Sequence, residues 1–534
     1  MEQVINLSKF SADSDMATFA NAMQYMREHP GTTLLVPPGT YSLTGELARK
    51  AQRAVMAGEW GRNSQKVMFK PAYRYDKGLN VEGLENCCIE ARGAVFVVDG
   101  FMEPVSLTNC RNVMLRGLTV DHLRKPYSRA TVREISERQA DGLCQCLLEF
   151  DPEFSICPNT PVDLRYFLHD EQKTQNIYVS MKKYHISDAY HMEVQFQDTN
   201  HCIREGMLFY TAHTFHSRPA ILIENCADVR LESITIHSQP GMGIVGNRSE
   251  NVVISGLKVV PSEGQHMSTN TDATHFTSMK GLLKLENCVF EGQGDDFINV
   301  HGYYQEVVDR EDACTCLIQE KTPTGTHAQT LDYPDVGDEM ELTVLDTLQT
   351  LDCYKVIDCM PMPEKWMCRV VLDHPLPENT EGLVLSDITR MPHVEVTGCK
   401  AFRHYARSIL LKNRSALVEN NYFKDVMGPA IVAAAESWWY EGICPSNIVI
   451  RGNRIENCAM CWGQEAEIVI KADAPHATDT SIHNIVIEDN EIICPGIQGG
   501  IIMRNVDGGV IRNNRITTKG QEVQVTSCKN IQIV

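Results

Sequence analysis

No stretch of this sequence approaches the ~18 consecutive apolar residues of a membrane-crossing helix, so a helical membrane protein is excluded. Positive charge is also scarce: 49 Lys and Arg stand against 69 Asp and Glu, a formal net charge of −20. Such a chain repels phosphate backbones and anionic lipid, so neither nucleic acid nor a membrane is an expected partner; a neutral sugar is not repelled. Residues 1–9 have neither a basic start nor an apolar core of the secretory kind. A cytoplasmic location is therefore expected, with secretion after loss of a signal left open. The motif Cys-x-x-Cys occurs once, at Cys458 and Cys461, with no second pair at zinc-ribbon spacing. It reads as core packing, and neither a metal nor a cofactor is expected.

What is present is ordinary in bulk and repetitive in detail. The 534 residues are 43 % hydrophobic and 22 % charged, enough for a large core in several domains or in one elongated repeat body. Twenty cysteines are diluted over the chain and recur after asparagine, as in Asn86-Cys87, Asn109-Cys110, Asn225-Cys226, Asn287-Cys288 and Asn457-Cys458. This looks like one repeated position filled by reduced, buried thiols. Alternating β-branched strings at 112–120, 228–236, 251–259, 447–455 and 484–492 share a Gly or polar turn and a second short strand. Val229 and Val252 hold equivalent places 23 residues apart (252 − 229). A repeat of that length without helical periodicity suits a parallel β-solenoid, in which stacked coils bury one continuous core. Asparagine tolerates the left-handed angles of the turns and forms ladders between coils. A leucine-rich repeat is the competing architecture, but leucine does not dominate and its helix is missing.

Ser14-Asp15 precedes a helical pattern with Phe19, Met23 and Met26 on one face, which suits a cap on the first coil. Two polar, turn-rich stretches interrupt the rhythm and read as inserted antiparallel β modules. The expected organisation is a cap and first coils at 1–122, a β module at 123–217, central coils at 218–302, a second module at 303–392 and final coils at 393–534. The second module follows His301-Gly302 directly and is expected to wall the same cleft as the residues described next.

Asp272 and the pair Asp295-Asp296 lie one coil apart, 23 residues counted to Asp295 (295 − 272). One winding places them about one strand spacing, ~4.8 Å, from each other. Clustered carboxylates repel, their proton affinities split, and one can stay protonated near neutrality, which is what acid/base hydrolysis needs. Adjacent residues of a regular strand face opposite ways, so both members of the pair can reach one cleft only if the backbone bends there. Gly292 and Gly294 make that corner feasible. His275, Asn299, His301 and Asn270 stand close by in sequence and are candidate substrate contacts.

Residues 286–302, with 270–276 before them, resemble the active-site stretch of glycoside hydrolase family 110. Those enzymes are inverting exo-α-galactosidases that remove terminal α-1,3-linked galactose, including the blood-group B determinant, and their fold is a right-handed parallel β-helix with inserted β-barrel modules. The order Asn-Thr-Asp, Asp-Asp, His-Gly is more distantly similar to the family 28 polygalacturonases. The resemblance implies that Asp295 is the general acid, that Asp296 and Asp272 hold and deprotonate the attacking water, and that Arg407, Trp439 and Glu441 bind the sugar. The partner it implies is a galactose-terminated oligosaccharide or glycoconjugate. Gly294 and Phe297 depart from the family pattern, and a difference in the sugar pocket, with its linkage selectivity, is expected there.

Two other readings stay open. One keeps the fold and acids but changes the sugar to α-N-acetylgalactosamine or a galacturonide, the latter needing Arg407 and Lys412 around its carboxylate. The other is a non-catalytic glycan-binding β-helix, which accounts for the repeats and aromatics but not for three acids at one coil spacing. A homodimer is compatible with the sequence, which does not set the oligomeric state.

Overall fold

The computed structural model describes residues 3–534 except 71, 163, 215, 321–330, 462–465 and 478–480. Among these residues, three parallel stacks of 13, 11 and 11 strands run the length of the molecule, built from the successive coils, and the short strand Glu441–Gly442 joins the second of them antiparallel. In Ala227–Glu232 and Glu250–Ser255, paired in parallel, Val229, Leu231, Val252 and Ile254 turn into a core that continues from coil to coil. One coil has no second layer to cover its apolar row, so stacking itself supplies the burial. This is the parallel β-helix expected from the period-2 strings.

The turns behave as asparagine chemistry requires. Asn86, Asn109, Asn225, Asn287 and Asn457 all have φ between 52° and 55°, and the cysteine after each is buried. Asparagine ladders tie the coils: Asn112 donates to Asn86 at 2.8 Å, and a run of the buried Asn421, Asn453 and Asn490 with the half-buried Asn514 is linked through amide bonds of 2.9 Å. Each amide both donates and accepts, so a row of them satisfies itself without water.

The helix Asp15–Glu28 covers the first coil with Phe19, Met23 and Met26, and the Ser14 hydroxyl accepts from the Ala17 amide at 3.2 Å. A second helix, Glu46–Met56, was not anticipated, although Ala48, Ala51, Ala54 and Val55 recur at helical spacing among charged residues and form its buried stripe. It packs with Met68, Phe69 and Phe101 beside the coils.

Two antiparallel bodies interrupt the helix. The first, between residues 127 and 212, is a seven-stranded sheet rolled as a half-barrel around Val132, Leu148, Val194, Phe196 and Phe209. The second, between 305 and 387, is a closed six-stranded barrel; 321–330, within the second expected module, lie outside the described residues. Arg248 and Lys280 on the coils reach Asp335 and Asp338 at 3.0 and 3.1 Å, seating that barrel against the helix.

Candidate active site

The site forms where Thr274–Thr277, Ile298–Tyr303 and Ile409–Leu411 stack in one sheet. His275 lies opposite Asn299, and Asn299 opposite Leu410. Phe276, Ile298 and Val300 fill the core, so by alternation His275, Asn299 and His301 face outward. Just before these strands the two acidic segments stack, the Ala273 amide donating to the Asp296 carbonyl at 2.9 Å. Thr274 pairs with Ile298, an offset of 24 (298 − 274), so Asp296 rather than Asp295 lies in register with Asp272.

The corner that turns both adjacent acids to one side depends on glycine. A Cβ on Gly294 would sit 2.1 Å from the Asn270 carbonyl oxygen, and Gly292 has φ +70. Phe297 then drops into the core and stacks on Phe290 at 4.0 Å. The two departures from the family pattern, Gly294 and Phe297, thus shape the corner and neither lines the cavity.

The cavity is about 270 Å³ and brings five carboxylates to one hollow: Asp272, Asp295, Asp296, Glu436 and Glu441. Arg407 grips Asp296 through its backbone amide at 2.9 Å, Nε at 3.0 Å and Nη2 at 3.0 Å, and spends Nη1 on Glu436 at 2.8 Å. Lys412, fully buried, bridges Glu441 at 2.5 Å and Glu436 at 2.9 Å. Asp295 is the more exposed of the adjacent acids and accepts from Arg165 Nη2 at 2.6 Å. Arg165 also donates to the Gly294 carbonyl at 2.8 Å and lies over the Tyr405 ring.

These surroundings separate the protonation states. Burial pushes Asp296 up to about 7, with Asp295 and Asp272 adding to the rise and Arg407 opposing it. Burial works against charge on Lys412, yet Glu436 and Glu441 hold its pKa above the ordinary value; Glu436 is held below its own, burial notwithstanding, by Lys412 and Arg407. Both cations are therefore neutralised by protein carboxylates.

Trp439 reaches the hollow through a tight reversal. The turn Ser437–Trp439 ends at Tyr440 with φ 56°, and the strand Glu441–Gly442 returns antiparallel to both Ile431–Glu436 and Ile298–Tyr303. That hairpin sets the indole at the wall and brings Glu441 to within 3.4 Å of the Asn299 amide.

Of the residues expected at the site, Asp272, Asp295, Asp296, His275, Asn299, Arg407, Trp439 and Glu441 line one cavity. Asn270 does not: it is fully buried and its amide donates to the Pro126 carbonyl at 3.2 Å, holding the first insertion to the coil. His301 stands in a second layer behind His275, its Nε2 2.8 Å from His275 Nε2. The expected wall is also different. Among the described residues it is the first insertion and the segment after it that contribute, through Arg165 and His216, and no cavity residue comes from 303–392. Arg165 and Glu436 were missed, since nothing in their local sequence marks them. Among the described residues no group of three or more His, Cys, Asp or Glu side chains is arranged to hold a metal.

No family model matches the chain. A protein named alpha-1,3-galactosidase A from Shewanella woodyi is 24% identical over 513 residues, covering 90% of this chain and 80% of its own length. One named alpha-1,3-galactosidase B from Bacteroides thetaiotaomicron is 24% identical over 537 residues, covering 91% and 82%. Among solved structures, the catalytic domain of a GH87 alpha-1,3-glucanase in complex with tetrasaccharides covers 100% of this chain and 68% of its own, at 8% identity and a TM-score of 0.43. The resemblance to α-1,3-galactosidases seen at residues 270–302 thus extends along nine-tenths of the sequence.

Proposed function

We propose that this chain is a glycoside hydrolase that removes terminal α-linked galactose, α-1,3-linked by the likeness of its relatives, with inversion at the anomeric carbon. The observation that carries the reading is the meeting of Asp272, Asp295 and Asp296 in one sugar-sized hollow beside an indole. Asp295, the more exposed acid, is assigned by the family resemblance to protonate the departing glycosidic oxygen, against the raised proton affinity of Asp296, which makes Asp296 the competing acid. Asp272 and Asp296, deeper and stacked coil on coil, hold the water and take its proton. Trp439 offers an apolar face to the sugar, and Glu441 and Asn299 are placed to bond its hydroxyls.

A galacturonide is disfavoured by a specific observation: Arg407 and Lys412 already face Asp296, Glu436 and Glu441, so the hollow has no cationic surplus for a substrate carboxylate. The test is proton NMR of the first product formed from an α-1,3-galactobioside. Release of β-galactose is expected. Release of the α anomer would refute inversion, and turnover confined to α-N-acetylgalactosaminides would refute the choice of sugar.

A further inference from the structure

We propose that His301 is a positioning residue: by offering a lone pair to His275 it keeps that ring an imidazolium, and the imidazolium in turn keeps Asp272 a carboxylate. The catalytic consequence rests on the hydrolase reading above; the state of the two rings does not.

The argument is a count of donors and acceptors. His301 Nδ1 lies 2.8 Å from the Gly302 carbonyl, which can only accept, so Nδ1 carries a proton. His301 is enclosed, and burial pushes its pKa down to about 3, with His275 and Lys412 pressing the same way against the pull of Glu441. It is neutral, and its Nε2 presents a lone pair. His275 Nε2, at 2.8 Å, must then be the donor. The other nitrogen of His275, Nδ1, lies 2.8 Å from Asp272 Oδ2, and one proton sits between them.

That proton belongs to the ring. In water imidazole outcompetes carboxylate for it by about 2.6 pKa units. Burial disfavours the His275 cation, but the hydrogen bond and charge of Asp272, helped by Glu441 and opposed by Lys412, leave its pKa above the ordinary value. The charged groups facing the two rings are these: Asp272 on one side, Glu441 3.8 Å from His301 Nε2 on the other, and Lys412 beyond it. Tyr303 closes the edge of His301 with its ring at 5.0 Å.

The device divides the labour of the acids. Asp272 meets substrate already ionised and with one oxygen fixed by a cation, whereas both oxygens of Asp296 are taken up by Arg407 and burial raises its proton affinity. Asp272 is therefore the base that takes the water proton, and Asp296 orients the water. Two histidines at i and i+26 in adjacent coils (301 − 275) make this arrangement because the strand register sets Thr277 opposite His301, one diagonal step from His275.

The experiment uses the full chain with 15N-labelled histidine. Scalar coupling across the N–H···N bond identifies the His275–His301 pair in the unaltered protein, without a variant. The expected result is one ring whose cationic nitrogen pattern persists above the ordinary midpoint of ~6.5, coupled to one neutral ring. A coupled pair in which both rings turn neutral at or below the ordinary ~6.5 overturns the proposal. Absence of the coupling overturns it as well. In His301→Leu the midpoint of His275 should fall by about one pH unit or more, and His301→Gln, which can donate to Gly302 and accept from His275, should restore it. An unchanged midpoint in the leucine variant refutes the role of His301. In His275→Gln the acidic limb of kcat/KM should move up by about one pH unit, since the base has lost its fixed cation; an unmoved limb refutes the coupling to Asp272. If no galactoside is turned over, the hydrolase reading fails, and the NMR titration still decides the state of the rings.

Discussion

Replacing Asp295 with asparagine separates the acid from the other two carboxylates, because an acid matters only when the leaving group needs a proton. An alkoxide leaving from a disaccharide needs one; 4-nitrophenolate leaves without it. Loss of a general acid costs 10²- to 10⁴-fold, about 2.7–5.4 kcal/mol of transition-state stabilisation. Asp295→Asn should therefore lower kcat/KM on an α-1,3-galactobioside by about that factor and on 4-nitrophenyl α-galactoside by at least tenfold less. Stability should hardly change. Asp295 has one strong partner, Arg165 at 2.6 Å, with the two side chains 16% and 19% exposed, and the asparagine oxygen can still accept. Arg165 keeps the Gly294 carbonyl at 2.8 Å. The cost is ~1 kcal/mol or less, too little to unfold the chain. Asp272→Asn is the comparator, since a missing base slows both substrates alike. Equal losses on the two substrates in Asp295→Asn, or a loss under tenfold on the disaccharide, would refute the assignment of the acid.

The first insertion is expected to serve catalysis through one side chain: Arg165→Ala should lower kcat/KM by about 10- to 100-fold with the melting temperature moved only a few degrees, while Arg165→Lys recovers part of the loss. Full activity in the alanine variant would show that the insertion only covers the cleft. Stability should also fall as pH rises from 7 to 8.5. Burial pushes Asp387 and Glu467 up to about 8, so the folded chain holds protons there that the unfolded chain, with carboxyls near ~4, has already lost. Unfolding releases them, and higher pH favours that release. Urea midpoints at the two pH values measure it, and a constant or rising midpoint would contradict the sign.

The fold was legible because its information is local. Alternation within 228–236 and 251–259, asparagine at each left-handed turn and a capped helix at Ser14 are choices made by short stretches, and stacking repeats them. The acidic group was legible for the same reason, since one winding of chain joins Asp272 to Asp296. Even there the coil is 24 residues, not 23, which changes which acid lies in register with Asp272. Glu46–Met56 was legible too, with Ala48, Ala51, Ala54 and Val55 at helical spacing, but it was overlooked.

By itself, then, the sequence determined a stack of parallel coils and a hollow with clustered acids, because period-2 burial and turn stereochemistry act over a few residues at a time. Only the tertiary structure decided who serves that hollow. Arg165 reaches Asp295 across 130 positions of chain, Glu436 and Glu441 meet through a hairpin that claims Lys412, and Asn270 and His301 fall behind the cavity wall. Such contacts depend on where an inserted body docks and on which layer a side chain occupies, and no local preference encodes either.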